Sequence, residues 1–162
     1  MIARGYIKSV ELLKEGQSTW TSLKDLPRPL GLPSASICGE KLYVISDKDT
    51  AYSISLSHLF TQEQPTSASI EWEKLTSLPV NNSTVATLSE QLIIVGGSKA
   101  HQEATSTIYQ LLNNEWIEIA FMKSGRFMCI VGTPSPREVV VIGGYKKRGM
   151  TRSKCVEVCT SS

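Results

Sequence analysis

The sequence predicts an all-β protein built from four-stranded antiparallel meanders, and three observations carry that prediction. Apolar residues recur at a spacing of two, as at Leu42 and Val44 and again at Tyr52, Ile54 and Leu56, the period of a strand with one face turned inward. A tryptophan motif repeats: Trp20-x-x-Leu23-x-x-Leu26-Pro27 matches Trp72-x-x-Leu75-x-x-Leu78-Pro79 position for position, and Trp116-x-x-Ile119-x-x-Met122 is a weaker third copy. The copies stand 52 and 44 residues apart, a length that suits one four-stranded unit of a repeat protein. Two β-branched runs end in paired glycines, Gly96-Gly97 and Gly143-Gly144.

The elements follow in chain order. Residues 6–13 read as a strand, 14–19 as a turn around Gly16, and 20–23 as the first tryptophan strand. Pro27 and Pro29 then forbid further pairing, because proline has no N–H to donate. A second unit starts near Ser34, turns at Gly39-Glu40 and alternates again over 51–56. Residues 57–71 are rich in Ser, Thr and Gln and read as a loop insertion; 55–64 is the one helix candidate, with a poor pattern. The third unit contains strands around Val85 and at 92–95, 107–112 and 116–120, with Asn113-Asn114 as a hairpin turn between the last two. The fourth offers 127–132, a turn at 134–136, the strand 139–142 and a final run near Cys155. The units are thus 6–24, 34–76, 83–121 and 127–160, with two, four, four and three strands.

Composition narrows the class. A chain of 162 residues with 41% hydrophobic and 20% charged residues can bury a real core. No apolar run reaches the ~18 residues of a membrane span, and the first residues lack a signal-peptide core, so a cytoplasmic location is expected. Four cysteines make no disulfide framework: Cys38 and Cys129 sit in strand-like runs, and Cys155 and Cys159 on one strand would lie ~13 Å apart. Buried free thiols in a reducing compartment are expected. His58 and His101, in different units, supply no metal site; no metal or other cofactor is expected. There is no Gly-x-Ser-x-Gly elbow, and the diglycines lack the Lys-Ser/Thr pair of a phosphate loop, so no enzyme activity is expected.

These repeats resemble kelch repeats. The resemblance rests on the two diglycines, on Tyr109 with Trp116 seven residues later, on Leu42-Tyr43-Val44-Ile45, and on Arg126 ahead of a first strand. It covers nearly the whole chain; Ser46-Asp47 in place of a diglycine and the insertion at 57–71 depart from it. The resemblance implies β-propeller blades, with each tryptophan filling the gap between neighbouring blades. Closed propellers use about four to eight four-stranded blades, so thirteen strands imply an open arc of roughly three. Such an arc is expected to be part of a longer protein, since the sequence opens in mid-blade; association with copies of itself and an isolated unstable product are the alternatives.

The resemblance implies a protein-interaction module that presents its loops to a partner protein. Net charge is +2, but residues 123–162 carry +6 and the remainder −4. In a meander the second-to-third loops and the loops between units emerge at one end, which collects Arg28, Arg126, Lys146, Lys147, Arg148 and Arg152. Together they form a candidate grip for an acidic peptide, Arg by bidentate bonds. Nucleic acid is not expected, because aromatic residues do not interleave with these charges. The alternative is a structural segment of a larger kelch protein with no binding role.

Overall fold

The computed structural model describes residues 7–46, 50–57, 71–99, 103–146 and 152–160. They form thirteen strands in four antiparallel sheets and no α-helix. The first sheet pairs β1 (Glu11–Leu12) with β2 (Thr21–Ser22). The second has β3 (Ser34–Cys38), β4 (Lys41–Ile45), β5 (Ala51–Ser55) and β6 (Glu73–Lys74) in chain order. The third has β7 (Thr84–Leu88), β8 (Gln91–Val95), β9 (Thr107–Leu112) and β10 (Glu115–Phe121). The fourth has β11 (Ile130–Ser135), β12 (Glu138–Ile142) and β13 (Val156–Thr160). No helix among the described residues is long and apolar enough to cross a membrane. The helix candidate at 55–64 and most of the insertion, 58–70, lie outside the described residues, as do His58 and His101.

Strand pairing is local because short turns make it so. Asn113 and Asn114 both take positive φ, 49° and 63°, the twist a two-residue hairpin turn demands and one that asparagine tolerates. Ser89 and Glu90 do the same at 50° and 61°. Two expectations shift. The first strand is shorter than 6–13, although hydrogen bonds from Leu23 N–H to Val10 O and from Leu26 N–H to Lys8 O prolong the pairing. Pro134 belongs to β11 rather than to the turn; it sits where the register slips between Gly132 and Ser135, so no ladder bond needs its missing N–H.

Neighbouring sheets pack on each other through three clusters. Val10 of the first sheet meets Leu42, Val44, Tyr52 and Trp72 of the second, with Leu26 and Leu30 between them. Ile45 and Ala51 of the second meet Ile94, Tyr109 and Trp116 of the third. Ile93, Val95 and Ile108 of the third meet Val139 and Val141 of the fourth. The first strands lie side by side: Val85 N–H donates to Ser34 Oγ at 3.1 Å, and Thr84 Oγ1 donates to Cys129 O at 2.7 Å. At the turn end, Cys38 Sγ donates to Glu90 O at 3.1 Å, and Ser89 N–H donates to Pro136 O at 2.8 Å.

The tryptophans behave unequally. Trp72 and Trp116 are half-buried between sheets, as a packing role requires. Trp20 is 63% exposed, contrary to expectation: among the described residues no sheet packs against the face of the first sheet that carries it. Of the thiols, Cys38 and Cys129 are free and shielded, whereas Cys155 is free but exposed.

Candidate interaction surface at the loop end

The second-to-third connections within sheets and the connections between sheets meet at one end of the molecule. There the strands are prolonged by single bridges, Asn81 with Ser98 and Ser98 with Ala104, then Phe127 with Tyr145 and Tyr145 with Arg152. Each trio joins the loop ahead of a sheet to that sheet's own second-to-third loop. The glycines make this approach feasible. A Cβ on Gly96 (φ 62°) would stand 2.2 Å from the Arg126 carbonyl oxygen, and one on Gly144 (φ 89°) 2.8 Å from that of Phe127. Where the second sheet departs from the diglycine, the buried Ser46 donates its hydroxyl to Gly31 O at 3.4 Å.

Leu32 (φ 49°), Asn82 (φ 54°) and Met128 (φ 52°) each stand two residues ahead of the first strand of their sheet. Left-handed backbone costs a non-glycine residue about 1–2 kcal/mol. At this position of the repeat the chain accepts that cost in all three sheets, twice with a large apolar side chain, and both Leu32 and Met128 are exposed. Met128 N–H donates to Asn82 O at 3.0 Å, so two of these positions adjoin. Strained positions of this kind gather where a surface is shaped for a ligand. Sequence reading did not single them out, since Leu and Met carry no left-handed signal; counting back two residues from each first strand would have aligned them.

The candidate basic residues divide. Lys146 and Arg152 are exposed, flanking Tyr145, whose ring stacks on Phe127 at 5.9 Å. Arg28 is exposed in the connection ahead of the second sheet. Lys147 and Arg148 lie outside the described residues. Lys99 and Lys123, both exposed, lie in the same set of loops.

Arg126 is the correction. It is 0% exposed, and all five of its N–H donors are satisfied within the chain. Nη1 donates to Gly143 O at 3.3 Å and Cys155 O at 3.1 Å; Nη2 donates to Ser124 Oγ at 3.1 Å and to the Glu157 carboxylate. Glu157 also accepts the Lys123 N–H at 2.6 Å. No N–H of the Arg126 guanidinium is left over for a partner.

The repeat explains this burial. Arg126 stands two residues before Met128, as Leu30 does before Leu32 and Val80 before Asn82; Leu30 and Val80 are both core residues. Glu157 pairs with Val141, as Tyr52 pairs with Val44 and Tyr109 with Ile94. Leu30 shares a cluster with Tyr52, and Val80 shares one with Tyr109. The fourth sheet therefore replaces an aliphatic–tyrosine contact by an arginine–glutamate pair.

No family model matches this chain, and no curated protein matches it. Among solved structures it is similar to one described as "Structure of YjhT", with a TM-score of 0.71 at 14% sequence identity. The match covers 96% of this chain and 52% of that one, so this chain spans about half the length of its structural neighbour. At this identity the likeness concerns the fold.

Proposed function

We propose that the chain is an open, partial kelch-type β-propeller whose sheets are blades, and that it acts as a non-catalytic protein-interaction module through its loop end. The observation that carries this reading is the set of left-handed residues, which leaves Leu32 and Met128 exposed in the same set of loops that carries the exposed Lys146 and Arg152. Apolar contacts beside a basic rim suit a peptide with mixed acidic and apolar side chains. The stacking of sheets in chain order, with adjacent first strands, supports the propeller reading, as do the kelch-like diglycines and tryptophans. A reducing cytoplasm fits the free thiols.

The test uses a fluorescein-labelled peptide of alternating glutamate and leucine, with anisotropy measured over a salt series. Lys146→Glu with Arg152→Glu should weaken binding about tenfold and flatten its salt dependence. Affinity and salt slope equal to the parent's would remove the charged part of the proposal.

A further inference from the structure

The first and last sheets each leave one apolar face uncovered among the described residues. In the fourth sheet, register sets Ile130 beside Ile142 and Ile142 beside Val156, with Val140 beside Val158 two residues along. Residues opposite each other and two apart share a face, so these five form one surface. Four of them are 68%, 44%, 60% and 62% exposed, for Ile130, Ile142, Val156 and Val158. The opposite face, with Val139 and Val141, is buried against the third sheet. An antiparallel sheet with one solvated face ordinarily carries polar residues there; this one carries these apolar residues instead. In the first sheet the pairing of Leu12 with Thr21, carried one step further, sets Leu13 beside Trp20, and both are exposed.

The interior of the chain shows what covers such faces. Trp72 of the second sheet packs toward Val10 of the first, and its indole N–H donates to Lys24 O at 3.1 Å. Trp116 of the third packs toward Ile45 and Ala51 of the second. The second and third sheets each turn their motif tryptophan toward the sheet before them. Trp20 occupies the same motif position with no sheet packed upon it among the described residues, and the fourth sheet has an apolar face that no described tryptophan covers. The two free surfaces are the two halves of an interface that the chain already builds internally.

We infer that the occupant is a second copy of this chain. Trp20 and Leu13 of each copy cover Ile130, Ile142, Val156 and Val158 of the other, and two such head-to-tail contacts close one ring. Heterologous contacts of this kind close when the rotation allows it and otherwise grow without limit. Two copies hold about as much chain as the structural neighbour, of which one copy covers 52%. The inference concerns the end sheets, so it stands or falls separately from binding at the loop end.

Sedimentation velocity of the full chain over a concentration series tests it, with circular dichroism as the check on folding. The expected result is one species at twice 17.8 kDa. Trp20→Glu, and separately Val156→Lys with Val158→Lys, should weaken association about a hundredfold while the β spectrum is kept. An equimolar mixture of the two variants should associate again, more weakly than the parent, because one of its two contacts is intact. Four outcomes overturn the inference: a folded parent that stays monomeric throughout, which would leave these faces to other chain; a dimer indifferent to Trp20→Glu; a mixture that does not associate; or mass that rises without limit.

Discussion

At position 126 the chain places an arginine where its two preceding repeats place Leu30 and Val80, and it places Glu157 where they have Tyr52 and Tyr109. A buried ion pair gains little over a well-packed apolar pair, yet losing one partner strands the other charge. Arg126→Val alone should therefore cost about 3–5 kcal/mol in urea unfolding. Arg126→Val with Glu157→Tyr, which restores the pattern of the other sheets, should recover most or all of it. Charge alone marked Arg126 as a surface residue; its place in the repeat, also legible, marked it as core. Thiols give a second prediction at this scale. Burial pushes the Cys129 thiol above its ordinary value of 9.0, against weaker lowering by its hydrogen bond with Thr84; Cys38 shifts the same way, also by burial. The native state therefore holds its protons when the unfolded chain has begun to release them. Stability from these groups is complete below pH 9 and declines above it, which thermal unfolding across pH 8 to 10.5 would detect. Cys129→Ala should flatten that decline.

At the scale of elements, the tryptophan strands offer a paired test. The indole N–H of Trp72 donates to Lys24 O, whereas the buried N–H of Trp116 meets no acceptor among the described residues. Trp72→Phe loses volume and a hydrogen bond; Trp116→Phe loses volume but also removes a stranded donor. The first should cost about 1 kcal/mol more than the second in chemical denaturation. The strands themselves were readable because a period of two and turns such as Asn113-Asn114 are local signals. The left-handed backbone at Leu32 and Met128 was not, because it is imposed by the packing of loops from adjacent sheets. The exposure of Trp20 was also hidden, since the motif specifies a packing surface and not whether anything meets it.

For the whole molecule, the number and order of strands were legible and the relation between sheets was inferred by resemblance. The loop end collects Leu32, Asn82 and Met128 with Lys146 and Arg152, and the opposite end is closed by hydrogen bonds between neighbouring hairpin turns. The central claim is that the loop end is the binding end. Hydrogen exchange of the chain with and without the glutamate–leucine peptide tests it most directly. The account predicts slower exchange in segments containing Asn82, Lys99, Met128 and Lys146, and no change around Glu40, Glu90 and Arg137. Protection confined to those three turns, with the loop end unaffected, would contradict it.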